Sequence, residues 1–369
     1  MKKFLTLAAL VALLAPNAFA SRARLISLGQ NPDGSSYIDD TRSVFLNPAN
    51  INTLGDFANF EFGAQAGSSA AIPNSEGGFF HKWGSNHVGL QLGRQSDFNA
   101  VIADLGTFGG NTFVNPQNTI ELQFGSGSAL KWGLSLIYGM TESRAGANTQ
   151  KSSTYEIHGG IKRDRMDVYA GVDLMSRADN DFGTGTDTLT LSPSFKLGGA
   201  YELTGEEKIF VDSRIMNYKA SPRTGGAETT ASMNDISVGF AHFINPDTST
   251  KFFYSAAFAY TNNSRAGLKS TSIPLVVGLE TTATDWLKLR GSVTQNVILD
   301  QKVTTITNTN NPNSTTVSGG VGINWKKVMI DGTLAGTSGG TTAPGGGVGT
   351  QGRIDGNNFL ANASMTYMF

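Results

Sequence analysis

Four histidines, His81, His87, His158 and His242, are the imidazoles available for acid–base or metal chemistry, and the chain has no cysteine. None of the four lies in an HExxH pair and no GxSxG turn accompanies them, so neither zinc hydrolysis nor a serine nucleophile is supported. His242 near Asp247, or His158 near Glu156, could be invoked for catalysis at a rim, but solvated wall residues are the simpler reading. Gly345-Gly346-Gly347-Val348-Gly349 and Gly125-Ser126-Gly127 superficially suggest phosphate loops. Neither is followed by Lys-Ser or Lys-Thr and neither leads into a helix, so they read as a flexible loop and a tight turn. Without cysteine there are no disulfides, thiolates or Cys-based zinc sites. The expectation is a non-enzyme with no catalytic residue, bound metal or cofactor.

Charge is distributed in a more informative way. Lys+Arg 28 against Asp+Glu 29 gives a formal net charge of −1, which is no footprint for nucleic acid. The charges recur at every second position of segments whose other positions are apolar. On this alternation Glu61, Glu121, Glu156, Lys162, Asp167, Asp173, Lys196, Asp212, Arg214, Lys251, Glu280, Lys288, Arg290 and Asp331 share one side, with Ser, Thr, Asn and Gly between them. Mixed signs imply weak ion selectivity at best, or pairing across a space that the pairs close.

The elements that must position these side chains are strands. Met166, Val168, Ala170, Val172 and Leu174 alternate with Asp167, Tyr169, Gly171 and Asp173. Phe252, Tyr254, Ala256, Phe258 and Tyr260 oppose Lys251, Ser255 and Ala259; Leu287, Leu289 and Val293 oppose Lys288, Arg290, Ser292 and Thr294. The period predicts sixteen strands, at 57–66, 77–83, 87–95, 118–125, 130–139, 153–162, 166–175, 189–202, 207–217, 233–243, 250–260, 272–282, 286–297, 314–325, 327–335 and 357–369. Every second connection is short, such as Arg163-Asp164-Arg165, Thr204-Gly205-Glu206 and the Lys326 corner. The intervening ones, 96–117, 140–152, 176–188, 218–232, 298–313 and 336–356, read as long loops.

That asymmetry, with 45 Gly and 39% hydrophobic residues, predicts an all-β fold: a transmembrane antiparallel β-barrel of about 14–16 strands, best count sixteen. A soluble sandwich also alternates, but has no reason to alternate its loop lengths. A barrel of this size encloses more volume than side chains fill, so its polar interior implies water or a plug. Trp83, Trp132, Trp286 and Trp325 all fall beside short turns, where an interfacial girdle would sit. The 96–117 stretch, with Val101-Ile102-Ala103-Asp104-Leu105, is the candidate for a loop folded into the lumen.

The ends are read the same way. Lys2-Lys3, the apolar run Phe4 to Leu14 and Ala18-Phe19-Ala20 predict a signal peptide over residues 1–20, cleaved before Ser21. Residues 56–369 form the expected barrel, and residues 21–55 do not read as strand. Met365, Tyr367 and Phe369 lie on one face of the last strand, a pattern like the C-terminal signal read by the barrel-assembly machinery.

In residues 21–55 the order Leu28-Gly29, Asp39-Asp40-Thr41-Arg42, Asn47-Pro48-Ala49 resembles the FadL/PorV-like outer-membrane superfamily. The same phrase is similar to the major outer-membrane proteins of predatory deltaproteobacteria. The superfamily resemblance implies an N-terminal plug carrying Asp39, Asp40, Asn47, Pro48 and Ala49 and, for its transporter branch, passage of hydrophobic compounds. That family typically has fourteen strands against the sixteen counted here. The expected function is an outer-membrane channel or porin for passive passage of small solutes, with outer-membrane lipid, the assembly machinery and those solutes as partners. The alternative is a structural or surface-interaction barrel without a conducting lumen. The sequence leaves oligomeric state open.

Overall fold

A computed structural model describes residues 21–369 except 64–73, 109, 118, 147, 182–184, 224, 304–313 and 340–358. The signal-peptide expectation at 1–20 therefore lies outside the described residues. Sixteen antiparallel strands close on themselves. They are β1 (Phe57–Gly63), β2 (Asn74–Trp83), β3 (Asn86–Leu92), β4 (Ile120–Ser126), β5 (Leu130–Ala145), β6 (Asn148–Arg163), β7 (Met166–Asp181) and β8 (Thr186–Leu191 and Ser194–Thr204). The circuit continues through β9 (Glu207–Ser221), β10 (Thr229–Ile244), β11 (Thr250–Asn263), β12 (Leu268–Thr284), β13 (Leu287–Val303), β14 (Ser314–Trp325), β15 (Val328–Gly339) and β16 (Phe359–Met368). β16 pairs with β1, Phe57 opposite Met368 and Gly63 opposite Asn362, so no edge is left unpaired.

Two-residue turns join strands at one end, for example Gly84-Ser85, Asp164-Arg165, Asp285-Trp286 and Lys326-Lys327. Asp164 and Lys326 hold φ of 49° and 56°, the left-handed geometry such turns demand, which short polar Asp accepts and Lys rarely does. At the other end the sequence expectation needs correction. Much of 140–152, 176–188 and 218–232 is strand, not loop: β5 and β6 run to Ala145 and from Asn148, and β7 runs to Asp181; 298–303 and 336–339 are strand too, and the rest of 298–313 and 336–356 lies outside the described residues. The ladder joins backbone groups and persists where a strand leaves an apolar layer, whereas the apolar alternation used to detect it stops there.

Two irregularities shift which residues face inward. Ser192-Pro193 splits β8, since Pro193 has no N–H to donate, and the buried positions switch from Leu189 and Leu191 to Ser194. A bulge pairs Tyr155 with Met175 and Glu156 with Asp173, which leaves Leu174 as the extra residue on the outer side.

The outer surface is apolar on every strand. Phe62, Phe79, Leu92, Leu122, Leu136, Ile161, Leu174, Leu197, Val211, Val238, Phe258, Val277, Val293, Val321, Leu334 and Met365 are all exposed, one from each strand in turn. A water-soluble monomer rarely exposes a contiguous apolar patch beyond a few hundred Å². Trp83, Trp132, Trp286 and Trp325 are exposed at the short-turn end. Met365, Tyr367 and Phe369 are exposed on the outer face of the last strand, the Tyr367 and Phe369 rings stacked at 6.3 Å. No helix among the described residues is long and apolar enough to cross a membrane, which says nothing against crossing by strands.

Candidate functional site: a plugged lumen

Residues 21–55 pass through the interior of the barrel. Ser21 caps the short helix α1 (Arg22–Ser27), accepting from the Arg24 N–H at 3.1 Å, and donates to Asp331 on β15 at 2.8 Å. A second short helix, α2 (Ser43–Leu46), leads into a 3₁₀ turn, Pro48–Thr53, capped by the Asn47 side chain. Proline at the first turn position costs no hydrogen bond there, which is why Asn-Pro starts the turn well.

Three arginines of the segment meet the wall's acids. Arg22 bonds Glu76 at 2.9 Å and donates its backbone N–H to Glu61 at 2.9 Å. Arg42 reaches Glu61 at 3.1 Å and also pairs with Glu76 and the Pro32 carbonyl. Arg24 makes a two-pronged contact with Glu280 at 2.7 and 3.0 Å and binds Asp40 at 3.0 Å. Arg290 of the wall completes the chain, at 2.5 Å from Glu280 and 2.6 Å from Asp331. Arg22, Arg42, Glu61, Glu76 and Arg290 are all fully buried, where an isolated charge would be prohibitive and mutual pairing is required.

Apolar contacts reinforce the charges. Leu25, Leu28, Tyr37 and Ile38 pack on Ala241, Phe243, Phe253 and Val276 of the wall, and Val44, Phe45 and Ile51 pack on Phe57 and Phe80. The guanidinium groups of Arg42 and Arg94 both stand over the Phe45 ring, at 4.9 and 5.0 Å from its centre. The interior face is thus not uniformly polar, which corrects the sequence reading. Where the plug and the helix of the inward loop dock, both faces of a strand are apolar, as at Phe79-Phe80, Phe252-Phe253 and Ile215-Met216. Doublets of this kind were the available clue, but they blur a period-2 count.

The Asn47-Pro48-Ala49 motif is an anchor against β6 and β7. Asn47 donates to Asp167 at 2.6 Å and to the Ile161 and Val168 carbonyls at 3.2 Å each. Gly160 and Gly133 admit it: a Cβ on Gly160 would fall on the Asn47 amide, and one on Gly133 on the Pro48 carbonyl group. Replacing Gly160 by Val should leave the ladder intact but expel this segment. Limited trypsin digestion of folded protein should then cut at Arg42, which is protected in the wild type.

Asp39 and Asp40 part company. Asp39 points outward from the plug toward Lys208 at 3.4 Å, whereas Asp40 is enclosed beside Arg24. Burial lifts the Asp40 carboxyl to about 6 from an ordinary 3.8, with Arg24 pulling the other way. A raised carboxyl binds its proton more tightly in the folded state, so its stabilising share is full below pH 3.8 and is lost as pH rises through 6. Thermal unfolding of Asp40→Asn should lack that component, so the wild-type-minus-variant difference in Tm should fall between those two pH values.

The other inward charges are placed as follows. Glu121 accepts from Arg94 at 2.5 Å and from Ser135 at 2.6 Å. Lys162 donates to Asn50 at 3.1 Å and lies 3.7 Å from Asp167. Asp212 accepts from Ser36 at 2.7 Å, Arg214 pairs with Asp235 at 2.7 Å, and Lys251 sits 4.3 Å from the centre of the Phe243 ring. Lys196 lines a cavity with Asp97, Lys288 is half-buried on the Arg290 strand, and Glu156 and Asp173 are buried side by side on β6 and β7. Most of these charges are therefore engaged by the plug or by one another. Sequence reasoning missed Glu76 and Arg94 as site residues, because the β2 strand was started at 77 and 94 was placed at a strand end.

Nearer the long-strand end, the 93–119 connection turns inward. Its helix α3 (Phe98–Leu105) packs Phe98, Val101, Ile102 and Leu105 on Leu189, Leu191, Met216 and Tyr218. Asp104 accepts from Tyr218 at 2.5 Å and pairs with Asn263. Between plug and wall remains a cavity of about 510 Å³ lined by Gln30, Tyr37, Phe210, Tyr260, Arg214 and Asp235 among others. His242 pairs with Glu207 at 3.7 Å and not with Asp247, which caps its own turn. His158 does lie 3.4 Å from Glu156.

No family model matches this chain, and no curated protein does. Among solved structures it is similar to a Pseudomonas aeruginosa FadL homologue, at 12% identity and TM-score 0.48 over 96% of this chain and 99% of that one. It is also similar to the CymD monoaromatic hydrocarbon channel (9%, TM-score 0.42, 95% and 98% covered) and the P. putida toluene transporter TodX (12%, TM-score 0.41, 95% and 98%). The described residues form a closed sixteen-stranded antiparallel barrel with an apolar outer surface and an interior segment bound by buried ion pairs.

Proposed function

We propose that this chain is a bacterial outer-membrane barrel that passes small solutes and is closed at rest by its own residues 21–55. The apolar belt supports a lipid environment, since in hydrocarbon every backbone polar group must pair internally and a closed barrel achieves that. The observation that carries the reading is the set of plug arginines. Arg22, Arg24 and Arg42 take up wall acids that would otherwise line a water-filled lumen. A purely structural wall would have no need of Glu61, Glu76 and Glu280 once facing apolar residues could fill the space. The cavity beside the plug mixes aromatic and charged lining, which suits a small amphipathic solute. Met365, Tyr367 and Phe369 supply the aromatic-ended strand through which the assembly machinery would insert the barrel.

The second reading, a filled structural barrel, draws on α3, which narrows the lumen from the end opposite the short turns. Efflux of a small amphipathic solute from vesicles separates the two. Faster release than from protein-free vesicles is expected once residues 21–50 are removed. Equal release, even after residues 21–50 are removed, would favour the structural barrel.

A further inference from the structure

Asp97, Glu156 and His158 bring one ligand atom each to within 4.8 Å of the others, on the lumen side and away from the plug's arginine contacts. Asp97 immediately precedes α3 in the inward connection, while Glu156 and His158 face inward from β6 two positions apart. Gly171, the register partner of His158, gives the imidazole its room: a Cβ there would stand 2.6 Å from the ring carbon Cδ2.

A second observation comes from the neighbouring strand. Asp173 is the register partner of Glu156 and is 4% exposed. Like charges directly opposite one another in a sheet are destabilising. Ser176 donates to Asp173 Oδ2 at 2.7 Å, but Oδ1 is buried with no hydrogen-bond partner. Thr154 and the Asp97 N–H both donate to Glu156 Oε1 at 3.3 Å, which leaves Oε2 facing His158 Nε2 at 3.4 Å. That separation equals the edge of a tetrahedron with bonds of about 2.1 Å, the length zinc makes to imidazole and carboxylate.

We propose that Asp97, Glu156 and His158 hold a divalent first-row transition cation, with Asp173 beside Glu156 adding negative charge and zinc as the working probe. One imidazole with carboxylates suits zinc and its neighbours, while a set containing imidazole disfavours calcium. Arg214, 3.9 Å from Asp97, makes its shorter contact with Asp235 at 2.7 Å, and Lys196 lines the same cavity as Asp97, so a bound cation would share Asp97 with these side chains. The cation would tie the entrance of α3 to β6 and β7 and so hold the inward loop against the wall. The adjoining cavity, which Asp97 also lines, gives it a path in.

Isothermal titration of refolded full-length protein with zinc chloride in a non-chelating buffer tests this. Saturable binding of one zinc per chain is expected, not displaced by excess calcium. His158→Ala, which removes a ligand, should weaken it by more than about 100-fold, beyond the roughly 10–100-fold typical for loss of an outer-shell partner. The near-isosteric Asp173→Asn, which preserves shape if His158→Ala misfolds, should weaken it by at least about tenfold. Replacing the exposed His81 should change nothing. Absence of saturable binding would overturn the proposal, leaving His158 and Glu156 as a plain ion pair. So would binding that survives both Asp173→Asn and His158→Ala, or binding that disappears with His81.

Discussion

In a planar bilayer the full-length chain should be electrically silent, and a variant lacking residues 21–50 should conduct steadily. The barrel does not need the plug for its backbone: each of the sixteen strands is hydrogen-bonded to two neighbours and the ring is closed by β1 and β16. Removing the plug exposes Glu61, Glu76 and Glu280 to entering water, which solvates them, so the loss of Arg22, Arg24 and Arg42 does not leave a dry unpaired charge. A sixteen-stranded wall is about 30 Å across between backbones for strands spaced about 4.8 Å and tilted about 40°. Facing side chains cannot bridge that, and α3 covers the part of it formed by β7 to β10. Steady conductance in the full-length protein would instead make it an open diffusion pore. Silence in both would mean that α3 and the wall close the lumen by themselves, as a structural barrel requires.

The second large effect is expected at Arg42. Together with Arg22 it balances Glu61 and Glu76 in a fully buried group of two positive and two negative charges. Arg42→Met removes one positive charge and leaves both carboxylates behind, a defect worth about 3–5 kcal/mol for a buried pair broken on one side. The plug's covalent tie to the wall is the short link from Thr53 into β1 at Phe57, so this cost should appear as plug release: bursts of conductance and tryptic cleavage at Arg22 or Arg24 in a barrel that still resists heat unfolding. Adding Glu76→Gln restores neutrality, with Arg22 facing Glu61, and should return most of the protection. The double-mutant cycle therefore reads the coupling directly. If Arg42→Met alone leaves the plug protected and the bilayer silent, apolar packing and not the ion pairs holds the plug.

How much of this was legible beforehand differs by level. Sixteen strands were countable because an outer apolar face and an inner polar one alternate at the strand's own period, as in Met166 to Leu174 against Asp167 to Asp173. The strand extensions to Ala145 and Asp181 were not, since in water neither face must be apolar and the alternation vanishes although the ladder continues. For the site, the inward sides of Glu61, Arg290 and Asp331 followed from parity alone. Their partners did not, because parity assigns a side and not a neighbour.

What the sequence by itself determined is therefore local: which residues alternate, where turns fall, and that a segment before the first strand fits neither a strand nor a solvent-exposed tail. These depend on contacts between residues close in the chain or on a repeating period. Tertiary structure alone decided that Arg24 meets Glu280, 256 residues away, and that Ser21 meets Asp331 across 310. It also decided that Gly133 and Gly160 are gaps for a plug backbone, and that Asp97 of one connection reaches Glu156 and His158 of the wall. Ring closure sets such distances: only when β16 has paired with β1 does the interior exist for the segment to fill.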